Sequence, residues 1–143
     1  MSDLDIAKSM LYEEDLTLTI VKNGKVLFET QSHRISGFLV AIEKFGAELE
    51  GASVADRVAG KAIALLCVYA KISAVYAEIL SRKAKAVFKE NHVSHEWKKL
   101  VDNVLDLNKS GVCPFEKAAS GIGDPKDAYK AFKMLQESLK CKD

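Results

Sequence analysis

Apolar and polar positions alternate most regularly in "DLTLTIVKNGKVLFET", residues 15–30. Leu16, Leu18 and Ile20 interleave with Thr17, Thr19 and Val21, the two-residue period of a strand with one face buried. A second β-prone run, 26–30, follows the pair Asn23-Gly24. Asn-Gly between two such runs predicts a two-residue type I′ turn, hence an antiparallel hairpin. Ahead of it, "MSDLDIAKSMLYEE" predicts a short leading helix over 1–14. Behind it, "SGFLVAIEKFG" predicts another, with Ser36 as its cap and Gly46 as its stop.

The period then changes. In "GASVADRVAGKAIALLCVYA", Ala55, Val58, Ala59, Ala62, Leu65, Leu66 and Tyr69 form a broad apolar stripe at helical spacing. Ser53 followed three residues later by Asp56 resembles a capping box, so one long helix is expected over 51–70, with its start at 53–56. "ISAVYAEIL" is apolar and β-prone throughout and predicts a central strand covered on both faces. Ser81 caps the helix expected in "SRKAKAVFKEN", and "HVSHEWKKL" predicts a short strand. "VDNVLDLNKSG" carries no clear period. In "GVCPFEKAASG", Cys113 is the expected cap, Pro114 the first helical residue and Glu116 the third. Asp124 followed by Pro125 opens a last helix, "DPKDAYKAFKMLQESLKCKD".

Helices alternating with strands predict a layered α/β fold, with a mixed sheet that starts from the antiparallel hairpin and continues through helical crossovers. The 143 residues suit a single domain, with 1–14 as leading helix, 15–120 as core and 124–140 as C-terminal helix. Ligands of such sheets gather where strands end and helices begin. Three helix starts are therefore of interest: 53–56, 81–83 and 113–116.

Composition narrows the classes. With 21 basic residues against 20 acidic ones, the formal charge is +1, which lacks the basic excess expected of a nucleic-acid or anionic-membrane binder. No apolar run approaches the ~18 residues of a membrane span. The acidic opening residues lack the order of a signal peptide. Cys67, Cys113 and Cys141 are scattered and form no CxxC, so free thiols in a reducing cytoplasm are expected.

Several residue types at the helix starts have two readings. A thiol at Cys113 would have its thiolate favoured by the helix dipole, whereas Glu116 adds opposing negative charge and is itself a good capping group. Asp56 serves equally as a cap or as a holder of a ligand hydroxyl, amine or metal. Arg57 and Lys61, four apart, could neutralise a phosphate or could line a solvated face. Gly60 costs about 1 kcal/mol against alanine inside a helix, so a close backbone approach is the reason to expect it there. His92 and His95, three apart on a strand, face opposite sides and are read as unlinked.

"GASVADRVAGKAIALL", "AVYAEILSRKA" and "GVCPFEKA", in this order and spacing, resemble a small prokaryotic family known only as a domain of unknown function, the 1893 family. The resemblance covers about residues 15–118. It implies a three-layer cytidine-deaminase-like fold with a site between two helix N-termini, and brings no known activity. True deaminases hold zinc with the His of an H-x-E and the two cysteines of a P-C-x-x-C, and move protons with the Glu. By the resemblance Asp56 stands at the histidine position and Val58 at the glutamate. Cys113 matches the first cysteine, Glu116 replaces the second, and Val112 stands where the proline would be. Ordinary zinc-dependent deamination is not expected of this set.

The leading expectation is thus a deaminase-like protein without the zinc and glutamate machinery. It would bind a nucleoside, nucleotide or small polar metabolite through Ser53, Asp56, Arg57, Ser81, Arg82, Cys113 and Glu116. A divergent enzyme using Cys113 as nucleophile or redox thiol is one alternative, and a structural or interaction protein with a vestigial pocket is the other. No cofactor is expected; a divalent metal, if bound, would take Asp56, Cys113 and Glu116. Neither nucleic acid nor membrane is an expected partner, and the hairpin's sheet edge leaves a homo-oligomer open.

Overall fold

In the computed structural model, the described residues are 2–31, 34–102 and 114–140. Helix α1 (Asp3–Glu13) leads into strands β1 (Leu18–Lys22) and β2 (Lys25–Thr30), then α2 (Arg34–Phe45) and a 3-10 turn, Gly46–Leu49. Strand β3 (Ser53–Ala59), helix α3 (Lys61–Tyr69), strand β4 (Ala74–Ser81), helix α4 (Arg82–Glu90) and strand β5 (Ser94–Val101) follow. Helices α5 (Pro114–Ala119) and α6 (Pro125–Lys140) complete the order. The strands form one mixed sheet, β2-β1-β3-β4-β5. β1 is antiparallel to both neighbours, and β3, β4 and β5 run parallel. This is the α/β architecture expected, with helices on both faces and the hairpin at one side.

The hairpin turns where the sequence places it. Asn23 and Gly24 both adopt positive φ, at 53° and 77°, as a type I′ turn requires, and Val26 pairs with Val21 across it. The N–H groups of both turn residues donate to the Asp3 carboxylate at 2.9 Å, which ties the start of α1 to the turn. Ser2 and Asp5 close a capping box at the same end.

Segment 51–70 corrects the expectation of one long helix. Residues 53–59 are strand, and the helix begins only at Lys61. The Ser53/Asp56 spacing suits a helix cap locally. Strand formation wins because β3 lies between β1 and β4 and bonds to a neighbour on each side. Residues 52–56 are buried on both faces, so the strand carries no polar alternation to reveal it. Helix α2 also departs from expectation: it starts at Arg34, which puts Ser36 inside the helix rather than at its cap. Gly46, with φ +51°, ends α2 as expected. Ser81 accepts from the Ala84 N–H at 3.1 Å and Asp124 from the Asp127 N–H at 3.2 Å, so both expected caps are present. Of the segment without a clear period, 101–111, Val101 ends β5 and residues 103–111 lie outside the described residues.

Two apolar layers flank the sheet. The larger contains Leu18, Ile20, Val54 and Val75 from the strands, packed under Phe38, Leu66, Phe88 and Phe132 of the helices. The smaller lies beneath α1 and comprises Ala7, Leu11, Leu16, Val21, Ala55 and Tyr76. A polar clip reinforces this thinner side. Arg57 donates to the backbone carbonyls of Leu16 (2.9 Å) and Leu11 (3.1 Å) and to Glu78 (3.0 Å), and pairs with Asp15 at 3.3 Å. Its guanidinium also covers the Tyr12 ring at 4.7 Å, whose hydroxyl lies 2.6 Å from that of Tyr76.

Removing this clip leaves Glu78 and two carbonyls without their cationic donor. Arg57→Ala is expected to cost about 2–3 kcal/mol in urea denaturation, as for hydrogen bonds to charged groups. Arg57→Lys should recover less than half of it, because an ammonium cannot reproduce the planar fork.

Candidate functional site

Strands β3 and β4 both end at one edge of the sheet, and each runs straight into a helix. β4 passes into α4 through Ser81, whose own side chain supplies the cap. β3 passes into α3 through Gly60, which has none. The first N–H groups of α3 therefore need an acceptor from elsewhere. Glu116 of α5 provides it: its Oε1 accepts from the Ala62 N–H at 2.6 Å across 54 residues of sequence. The carboxylate is buried and meets the positive end of the α3 dipole.

This contact explains Gly60. A Cβ built there would land on the Glu116 carboxyl group inside van der Waals distance. The backbone of Gly60, with φ −103° and ψ −172°, is one that any residue adopts, so the constraint is space alone. The close approach expected from the sequence is real, although Gly60 precedes the helix rather than interrupting it. Phe115, buried beside Glu116, packs edge-on against Phe132 of α6 at 6.0 Å and so fixes α5 in place.

The remaining candidates are divided among different places. Ser53 begins β3, at the end remote from α3, about 20 Å away by strand rise. Asp56 sits in mid-strand, fully buried, in register with Leu18 and Ala77, and its Oδ1 accepts from the Val58 N–H at 3.1 Å. Arg57 belongs to the clip under α1. Ser81 and Arg82 do lie at the edge where the helices start, with Arg82 bonded to Asp102 at 2.9 Å. Cys113 and Val112 lie outside the described residues, as does Cys141. Neither Asp56 nor Val58 stands at a helix start, so the expected placing of both at an H-x-E-like helix N-terminus is corrected: both belong to β3. Among the described residues, no three of His, Cys, Asp and Glu form a group able to hold a metal. His92 is exposed on a turn, while His95 Nδ1 donates to the Val93 carbonyl (2.8 Å) and the ring stacks between Phe88 and Trp97.

Beside the capped start of α3 runs a groove of about 330 Å³, between α3 and α4 and closed at one end by the residues after α5. Lys61, Lys83, Glu90, Asn91 and Ser120 provide its polar lining, and Leu65 and Val87 its apolar floor. Neither lysine has an ion-pair partner among the described residues. Lys83 belongs to the helix start 81–83 expected from the sequence, whereas Asn91 and Ser120 are not singled out by it; the packing of α4 against α3 and the residues after α5 brings them to one groove.

The family model for a domain of unknown function, DUF1893 (TM1506), matches residues 6–137. The chain belongs to the DUF1893 family. A solved DUF1893 family protein, TM1506 from Thermotoga maritima, is 24% identical over 94% of this chain and 91% of that one, with a TM-score of 0.85, and shares the fold. A dCMP deaminase from the cyanophage S-TIM5, in its apo form, is 14% identical, covering 66% of this chain and 92% of that one, with a TM-score of 0.49. No curated protein matches the sequence. No helix among the described residues is long and apolar enough to cross a membrane.

Two predictions follow from the site. Gly60→Ala is expected to cost about 1–3 kcal/mol through overpacking against Glu116. In a Glu116→Ala background the same substitution should be nearly neutral, giving a coupling of about 1 kcal/mol or more in a double-mutant cycle. The second concerns Cys67, which is buried in α3; burial pushes its thiol well above the ordinary 9.0, and the nearby Asp56 charge adds to this. Above pH 9 the unfolded chain loses this proton and the folded chain keeps it. Stability is therefore fully present below pH 9 and falls as pH rises, by at most about 1.4 kcal/mol per pH unit from this group. Urea midpoints measured from pH 8 to 10 should show the decline, and Cys67→Ala should flatten it.

Proposed function

We propose that this DUF1893 protein is a small-molecule binding protein, built on a deaminase-like scaffold that has dispensed with zinc and the proton-shuttling glutamate. Its ligand is an anionic metabolite of nucleotide size, held in the groove between α3 and α4. The observation that carries this reading is the pair Lys61 and Lys83, two cations facing one groove with no carboxylate partner among the described residues. A phosphate or carboxylate bridging them would gain charge-assisted bonds that neither lysine makes otherwise. Leu65 and Val87 suit the apolar body of such a ligand, and Asn91, Ser120 and Glu90 suit its hydroxyl or amino groups. The groove's volume, about 330 Å³, lies within the range of small-ligand sites.

Glu116 supports the displacement of the site away from the α3 N-terminus itself. The protein's own carboxylate already fills that position, so an incoming anion finds its charge complement one step along, at the lysines. In this reading the roles left for Ser81 and Arg82 are at the rim, and Asp56 acts by shaping the interior below.

Thermal shift with nucleosides, nucleoside 5′-monophosphates and inorganic phosphate tests the proposal. A cognate ligand at a hundred times its Kd stabilises by about 2.7 kcal/mol and raises Tm accordingly. Monophosphates should act where the parent nucleosides do not, and Lys61→Gln with Lys83→Gln should abolish the shift while leaving the unliganded Tm nearly unchanged. A flat response across the set, or a shift that survives loss of both lysines, overturns it.

A further inference from the structure

The opposite end of α3 carries a second cavity, of about 450 Å³, whose charged lining is one carboxylate, Glu50, and one ammonium, Lys71. α2 ends nearby, at Phe45, and turns through Gly46 and Ala47, which line the cavity. α3 ends at Tyr69 and Ala70, which line it too. Two helix C-termini therefore border one hollow, each the negative end of a helix dipole, with the Leu66, Cys67 and Val68 carbonyls of α3 already accepting from the N–H groups of Ala70, Ile72 and Lys71. The Glu50 carboxylate is a further lining group. Tyr69 and Tyr129 also line the cavity, and their rings stack almost parallel, 4.6 Å apart at 8°. An aromatic face, a carboxylate and helix C-termini all attract the same kind of ligand.

We infer that this cavity, between the C-terminal ends of α2 and α3 and the N-terminal half of α6, is a binding site for a small organic cation of the alkylammonium class. The stacked pair receives the alkylated nitrogen on an outer face by cation–π attraction, since the facing sides of the two rings cover each other, and Glu50 pairs with its charge. Lys71, which also lines the cavity, now stands in for that ligand, with its Nζ 3.6 Å from Glu50. Both partners of this pair are exposed, so the pair is weak and readily exchanged. The inference does not rest on the anion groove, which lies at the other end of the helix.

Choline and its uncharged carbon isostere, 3,3-dimethylbutan-1-ol, provide the test, read by calorimetry and by ligand-observed NMR on the full chain. Choline should bind about tenfold more tightly than the isostere, the increment expected of a cation over aromatic faces. Glu50→Gln should weaken choline several-fold and Lys71→Met should strengthen it, because that substitution removes the resident competitor. Both are exposed positions, so neither change threatens the fold. Tyr129→Phe should preserve binding, and Tyr129→Leu should reduce it. Equal affinity for choline and the isostere, no measurable choline binding, or indifference to both Glu50→Gln and Lys71→Met overturns the inference.

Discussion

One hydrogen bond sets the arrangement at the working edge of this molecule: the Ala62 N–H donated to the Glu116 carboxylate at 2.6 Å. A helix that begins after a glycine has donors and no side chain to receive them, and here the acceptor comes from a different element altogether. The bond orients α5, whose Phe115 locks onto α6, and α6 in turn packs against α3. A short helix of six residues would have little reason to form on its own. It is held because its one buried carboxylate completes another helix.

The same bond decides what the edge can recognise. Helix N-termini attract anions, but this one is satisfied from within and presents no open donors to solvent at Ala62. The ammonium groups beside it are those of Lys61 and Lys83, in the first turns of α3 and α4, and in the proposed reading these meet the ligand. Asp56, which the sequence marks as a candidate at the same edge, instead occupies the interior, where its charge bears on Cys67.

Much of the fold can be read from local signals because those signals act over a few residues. Asn23-Gly24 dictates its own turn, Ser81 and Asp124 cap the helices that follow them, and the apolar run 74–80 has no arrangement but a central strand. Segment 53–59 resists such reading for a physical reason. A strand buried on both faces and rich in alanine has neither alternation nor bulk, and its Ser53/Asp56 spacing imitates a cap. Only the neighbours β1 and β4, one of them more than thirty residues upstream in the chain, decide the matter. The site is harder still. Gly60 announces a close approach without naming the group that approaches, and Glu116 announces a cap without revealing that it caps a helix other than its own. Arg57 looks like an anion ligand until its partners Leu11, Leu16 and Glu78 are seen on the other side of the sheet.

The unequal flanks of the sheet have a dynamic consequence. The face carrying α2 to α6 is held by a continuous hydrocarbon interior, whereas α1 rests on a handful of apolar side chains, the Arg57 fork and the Asp3 tether to the hairpin turn. Such a helix can peel away as a unit while the sheet stays intact. Its amide protons would then exchange with solvent at a lower free energy than those of β3 and β4, so the protein would breathe on one flank only.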